Sequence, residues 1–205
     1  IDLCPVGALT SKPYAFTARS WELVHHDTID ITDGVGSNII VDEFGGEVKR
    51  ILPRVNEDIN QEWISDKARF CYDGLINQRL DKPFLKDNKA KLKACNWDKA
   101  LSKFQDYLTT FNKKDIVVIA GALSDVETMY VAKDLFNSYG IYNLDCRFNG
   151  SSYYTESRAD YLFNASINGI DQVDKMLIIG CDPKREATLV NSRIRQRWLT
   201  GEMKV

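Results

Sequence analysis

The chain has 205 residues, 44% of them hydrophobic, which suits one or two domains with a proper core. Its 27 Lys and Arg stand against 29 Asp and Glu, so it lacks the basic excess of a nucleic-acid binder, and no apolar run is long enough to span a membrane. The five cysteines, Cys4, Cys71, Cys95, Cys146 and Cys181, are scattered without any C-x-x-C pair, which excludes a zinc ribbon or a self-contained iron–sulfur site.

Residues 1 to about 22 have turn chemistry, with Pro5, Gly7 and Pro13, and read as the tail of something upstream. From about 28 to 82 the chain begins as β structure. The runs TIDIT and NIIVDEFGGEVKRIL are rich in β-branched residues, and Gly45-Gly46 predicts a hairpin turn. Ser65 ahead of DKARF predicts a short capped helix, and KDNKAKLKAC reads as a charged linker.

From about 96 the period changes. Asn96 caps a helical stripe of Trp97, Leu101, Phe104, Leu108 and Phe111. The apolar run DIVVIAG predicts a strand buried on both faces. A helix over SDVETMYVAKDLFNSYG follows, with Ser124 and Glu127 as a capping box and Gly140 at its end. IYNLDC and KMLIIGC predict two further strands and EATLVNSRIRQRWL a closing helix. This alternation predicts a parallel α/β sheet. Lys204-Val205 reads as the start of another strand after a Gly201 turn, so the chain is expected to be cut at both ends.

Four of the cysteines are expected to be reduced, buried thiols packing as small hydrophobes, which suits a reducing compartment. The fifth, Cys4, precedes proline. A thiolate ligand needs a backbone that turns away at once, which Cys-Pro-x-Gly provides, although the pattern alone also describes an ordinary loop.

The residues after it carry more. The stretch CPVGALTSKPYAFTARSWE resembles the end of the iron–sulfur region in the large hydrophilic iron–sulfur subunits of respiratory complex I, NADH:ubiquinone oxidoreductase. The resemblance continues through GSNIIVD, GEVKRILPRVNEDINQEWISDKARFCYDGL, ADYLFNASINGI and NSRIRQRWL. It implies that Cys4 is the fourth ligand of a 4Fe-4S cluster whose other three ligands lie in a C-x2-C-x2-C stretch that this chain lacks. Residues 1–22 are then the tail of a ferredoxin-like domain. Further 4Fe-4S and 2Fe-2S clusters are implied upstream. The segment then has no catalytic centre of its own and serves a proton-translocating NADH:ubiquinone reductase that passes electrons from NADH through flavin towards quinone. The implied partners are other peripheral-arm subunits, including the flavin-bearing NADH-binding subunit, with no nucleic acid and no direct membrane span. The implied location is the matrix side of the mitochondrial inner membrane or the cytoplasmic face of the bacterial one.

The zones after residue 22 resemble the molybdopterin oxidoreductases, which implies a small β-rich domain at 23–82 and a Rossmann-like α/β domain at 83–205. That superfamily's small leading domain binds a cluster through C-x2-C-x3-C-x27-C. The same spacing falls here on Asp30, Asp33, Ser37 and Ser65, none of them cysteine, so an ordinary role in turns and at a helix start is expected, with no second cluster. In IIGCDPK, Cys181-Asp182-Pro183 follows a predicted strand and precedes a helix. Asp182 is unsuited to a pyrophosphate and no Gly-rich cradle occurs, so no molybdenum cofactor is expected. An independent molybdopterin-dependent oxidoreductase such as a formate dehydrogenase is the alternative. His25 and His26, adjacent on an extended segment, point to opposite faces and are expected in solvent. Arg193, Arg195 and Arg197 read as a solvated helix side or a subunit contact, with Trp198 packing inward.

Overall fold

In the computed structural model, which describes residues 4, 6–87, 89–147, 150, 152, 154 and 156–205, β1 (Val24–Ile29), β2 (Asn38–Phe44) and β3 (Glu47–Pro53) form an antiparallel sheet in that order. Gly45 and Gly46 adopt φ of 64° and 83° and close the predicted hairpin between β2 and β3. That left-handed geometry is the one a two-residue turn needs to match the strand twist, and glycine adopts it without steric cost. The first strand begins earlier than TIDIT suggested and stops at Ile29. There the Asp30 carboxylate accepts hydrogen bonds from the Thr32 backbone N–H (2.9 Å) and hydroxyl (3.0 Å) and so turns the chain.

Helix α1 (Asp66–Phe70) starts where expected, because the Ser65 hydroxyl accepts the Ala68 N–H at 3.0 Å. A single 3-10 turn, Cys71–Leu75, follows and brings Tyr72 into a core with Ile39 and Ile51. Alternation along β2 and β3 supplies the rest of that core, Val41 and Val48, with Ile64 from the loop beyond.

The chain divides into two compact units, Ile1–Asn77 with Thr155–Val205, and Gln78–Tyr154. The second unit opens with a hairpin, β4 (Phe84–Lys86) and β5 (Leu92–Ala94), where a linker was expected. Its turn is held by Asp87, whose carboxylate accepts the N–H groups of Lys89 (2.8 Å) and Lys91 (3.0 Å); this side-chain turn is what the charge pattern concealed. Helix α2 (Trp97–Thr110) is capped by Asn96 as predicted, but of its expected stripe only Leu108 is buried.

Strand β6 (Val118–Ile119) and strand β7 (Leu144–Asp145) pair in parallel, on either side of helix α3 (Val126–Ser138). This two-residue pair is as far as the predicted parallel sheet extends in this unit among the described residues. DIVVIAG is accordingly not buried on both faces: Val117 and Ile119 are exposed, since no further strand or helix layer covers them among those residues. The cap of α3 is Asp125 rather than Ser124, its carboxylate accepting the Thr128 N–H, while Gly140 ends the helix at φ 74° as expected.

Back in the first unit, KMLIIGC is not a strand. Lys175 makes a single parallel bridge with Lys204. Met176 and Ile178 pack against a core of Ile170, Ile194 and Met203 while Leu177 and Ile179 stay exposed. The period-2 pattern is present, but the ladder that would make it a strand is reduced to one rung. Asp182 accepts the Lys184 N–H and starts the short helix α4 (Pro183–Glu186), and α5 (Thr188–Leu199) closes the chain.

Helix α5 corrects two expectations. Arg193 is buried: its guanidinium donates to Asp171 at 2.6 Å and to the backbone carbonyls of Ile59 (3.3 Å) and Glu57. It stands four residues from Leu189, on the helix face that packs inward. Trp198 is exposed instead, on the opposite side.

Candidate functional site

Cys4 is half-buried at the wall of a cavity of about 170 Å³ in the first unit. The backbone N–H groups of Val6 and Ala8, with smaller help from Leu9 and Gly7, hold its thiol below the ordinary thiol value against partial desolvation. Successive amides turned towards one sulfur form a nest of partial positive charge, the setting in which a thiolate becomes stable enough to ligate a metal.

The other walls come from the turn at Ser11 and Tyr14, from Arg50 on β3, and from Arg69 and Tyr72 at the end of α1. Tyr14 N–H donates to the Ser11 carbonyl at 3.0 Å, which tucks the ring inward. Arg50 is fixed from two directions. Its guanidinium lies 4.9 Å from the Tyr14 ring centroid, and its Nε donates to Asp42 at 2.5 Å. Asp42 is fully buried in the middle strand, and on its other side it meets His25 Nδ1 at 2.5 Å. The sheet register places these three residues directly opposite one another, so His25, Asp42 and Arg50 form a row across the three strands.

Three buried side-chain polar atoms among the described residues have no hydrogen-bond partner, and two of them, Ser11 Oγ and Tyr72 Oη, belong to residues that line this cavity. Guanidinium groups and backbone N–H groups can only donate, and hydroxyls such as those of Ser11 and Tyr72 can donate as well as accept. The cavity therefore presents donors to whatever occupies it. That is the donor set an anionic, many-acceptor group such as an iron–sulfur core requires, so the residues present fit one flank of such a cluster at Cys4.

The positions Asp30, Asp33, Ser37 and Ser65 have the opposite character. Asp30 and Ser65 are nearly buried and spend their side-chain oxygens on Thr32 and Ala68. Asp33 accepts the Val35 N–H at 2.9 Å, and the Ser37 carbonyl accepts the Asp30 N–H at 2.7 Å. Lys67 Nζ donates to the Thr32 carbonyl, pinning the same turn. These residues do not fit a cluster: hard oxygens already engaged in local hydrogen bonds leave no thiolate to offer. Among the described residues no three His, Cys, Asp or Glu side chains gather as metal ligands.

The remaining cysteines are free, but Cys71, Cys146 and Cys181 are exposed residues and only Cys95 is half-buried, against the expectation of buried thiols. Cys71 and Cys146 sit where an element ends and Cys181 just before the cap of α4. The Cys71 sulfur nonetheless turns towards the Ala68 carbonyl at 3.8 Å, and partial desolvation together with the Asp30 charge pushes its thiol up. His25 and His26 lie on opposite faces with more than half of each side chain exposed, as expected; the reach of His25 to the buried Asp42 was legible only once the register was known.

At the carboxyl ends of β6 and β7 the second unit has a wider depression of about 450 Å³ that includes Asp145 and Arg147. Arg147 donates to both oxygens of Asp145, at 2.9 and 3.0 Å, and holds that carboxyl well below its usual range. The pair satisfies its own charge and supplies no phosphate cradle. No helix among the described residues is long and apolar enough to cross a membrane.

Residues 79–205 match the sequence family described as molybdopterin oxidoreductase, and residues 23–73 match the family described as NADH-ubiquinone oxidoreductase NDSU1/NuoG-like, 4Fe-4S domain. Of the chain's cysteines only Cys71 falls within that second stretch. The chain is 48% identical over 196 residues to the mitochondrial NADH dehydrogenase (ubiquinone) iron–sulfur protein 1 of Solanum tuberosum, covering 96% of this chain and 27% of that protein. It is 47% identical over 209 residues to the mitochondrial NADH-ubiquinone oxidoreductase 78 kDa subunit of Candida albicans, covering 100% of this chain and 29% of that subunit. It is 48% identical over 205 residues to an NADH-quinone oxidoreductase subunit of Rickettsia conorii, covering 100% of this chain and 30% of that protein. The chain thus spans under a third of the length of these relatives.

Proposed function

The chain belongs to the molybdopterin oxidoreductase family, and from that membership and its NDSU1/NuoG-like stretch we propose that it is the central section of the large iron–sulfur subunit of complex I. In this reading Cys4 is the fourth ligand of a 4Fe-4S cluster, and the three remaining cysteines lie in a part of the subunit outside this chain. When bound, the cluster supplies one-electron transfer, one step between flavin and quinone.

The residues of this chain do the holding and the tuning. The amides of Val6 and Ala8 stabilise the Cys4 thiolate, and the Arg50 and Arg69 guanidiniums offset the negative charge of a reduced core. Asp42 keeps Arg50 in place from behind. The observation that carries the reading is the donor-lined cavity at Cys4, supported by near-half identity to complex I subunits along the whole chain.

The wider assignments follow from the same reading. Residues 1–22 end a ferredoxin-like domain, 23–82 form a small domain that keeps a cluster-binding frame without its ligands, and 83–205 belong to a Rossmann-like α/β domain in which β6 and β7 are two strands of a larger parallel sheet. Further 4Fe-4S and 2Fe-2S clusters sit elsewhere in the full subunit, and no molybdenum cofactor is bound. The partners are peripheral-arm subunits including the one that carries flavin, on the matrix side of the mitochondrial inner membrane or the cytoplasmic face of a bacterial one. An independent molybdopterin-dependent oxidoreductase has only the fold of residues 79–205 in its favour.

The test is low-temperature EPR of NADH-reduced membranes carrying the full subunit, wild type against Cys4→Ser. Selective loss or distortion of one tetranuclear signal is expected, with the others retained. Unchanged spectra in an assembled complex would reduce Cys4 to a loop thiol and the segment to a scaffold.

A further inference from the structure

We propose that Tyr72 sets the reduction potential of the cluster held by Cys4, its hydroxyl donating a hydrogen bond to a sulfur of that cluster. The proposal rests on the assignment of Cys4 as ligand and deepens it.

Tyr72 is 8% exposed, and its ring is part of the core with Ile39 and Ile51. Phenylalanine would serve that packing equally. The hydroxyl is buried with no partner among the described residues, in a residue that lines the cavity shared with Cys4. A buried hydroxyl that finds no acceptor is penalised by its lost hydration, so it calls for an acceptor that the described residues do not supply. The polar neighbours that line the cavity narrow the choice. Arg50 and Arg69 have no acceptor atoms, Arg50 is already committed to Asp42 and the Tyr14 ring, and the hydroxyls of Thr10, Ser11 and Tyr14, which could accept, are not hydrogen-bonded to Tyr72. Ser11 Oγ is unpartnered in the same way, so the two hydroxyls call for an occupant with more than one acceptor. A sulfur-rich anionic core has several. The Tyr72 ring is fixed by packing on two aliphatic residues, so its hydroxyl is pre-set rather than recruited.

The consequence has a definite sign. Reduction adds negative charge to the cluster, and a donor aimed at sulfur stabilises the reduced form more than the oxidised one. Removing the donor must lower the potential.

The experiment is a potentiometric EPR titration of the Cys4 cluster in membranes carrying the full subunit, wild type against Tyr72→Phe, with Ser11→Ala as a second variant. At the potential where the wild-type cluster is half reduced, the reduced-to-oxidised ratio in Tyr72→Phe should fall threefold or more. That corresponds to about 28 mV at 59 mV per decade for a one-electron couple. A smaller change, or a rise, would overturn the proposal and leave the hydroxyl to a water. Should Tyr72→Phe fail to assemble, an exchangeable proton coupling to the cluster that survives in Ser11→Ala is the expected signature of the Tyr72 hydroxyl, and its loss there overturns the proposal. The Cys4→Ser spectra keep the two ideas apart. An intact signal there removes the ligand assignment, whereas a lost signal with an unmoved Tyr72→Phe potential removes this inference alone.

Discussion

Two polar sites lie within the first 77 residues, and they differ in what their polar atoms do. Around Cys4 the walls carry two guanidiniums, which can only donate, and two hydroxyls unpartnered among the described residues, beside a thiol held below its ordinary value. Around Asp30 the same kinds of atom close on one another: the carboxylate on Thr32, Ser65 on Ala68, Lys67 on the Thr32 carbonyl. In the proposed reading, unmet hydrogen-bonding capacity marks the site that holds a group, and local bonds mark the one that does not. Spacing alone does not separate the two cases, because the four-position frame fits the second site and fails to describe the first.

The comparison breaks most readily at the residue behind the open site. Asp42→Ala removes the buried acceptor shared by His25 and Arg50 and leaves the Arg50 guanidinium, only 24% exposed, without its counter-charge. Breaking such a pair should cost about 3 kcal/mol. Urea unfolding of the 205-residue chain measures it, and a loss below about 1 kcal/mol would show that Arg50 is held by Tyr14 and solvent rather than by Asp42.

A sharper test sets the two sites against each other. Asp30→Ala removes two satisfied hydrogen bonds at a site only 5% exposed and should destabilise the chain by about 2 kcal/mol. Tyr72→Phe removes a buried hydroxyl with no partner among the described residues, and in the chain alone it should cost nothing or stabilise by about 1 kcal/mol. Equal losses would mean that Tyr72 Oη is bonded after all and that the contrast between open and closed sites fails.

What the sequence disclosed follows the range of the interactions involved. The Gly45-Gly46 turn, the caps at Ser65 and Asn96 and the ends of α3 and α5 are local events, and each is visible in a few consecutive letters. The expectation that Cys4 is a ligand comes from its Cys-Pro setting and the resemblance that follows it. The cavity was not, because Ser11, Arg50 and Tyr72 come together only through the sheet register and the turn of α1. The parallel sheet is visible only in part, for a related reason. DIVVIAG and KMLIIGC have strand patterns, but a strand exists through its neighbours, and the described residues give them a two-residue ladder and one bridge. Arg193 was misplaced because three arginines in five residues suggest a wet face, although its spacing from Leu189 already put it on the packed one.

The smallest effect probes the closed site by its charge. The Cys71 thiol is pushed up first by desolvation and then by the Asp30 carboxylate. Neutralising that carboxylate, Asp30→Asn, keeps the shape and removes the repulsion, so the thiolate becomes easier to form and the thiol value falls towards normal. At a pH just below the ordinary thiol range, alkylation of Cys71 by iodoacetamide should therefore run faster in Asp30→Asn than in wild type, by about twofold to threefold for an interaction of this range. Peptide mapping after timed quenching reads the site directly and separates it from the other four cysteines. The same raised value gives a matching stability signature: the folded chain holds the Cys71 proton longer than the unfolded one, so stability falls as pH climbs from the ordinary thiol value through the raised one, and Asp30→Asn should flatten that fall. An unchanged alkylation rate would mean that the Asp30 charge is already spent on its hydrogen bonds and on Lys67, a closure more complete than the Cys71 shift implies.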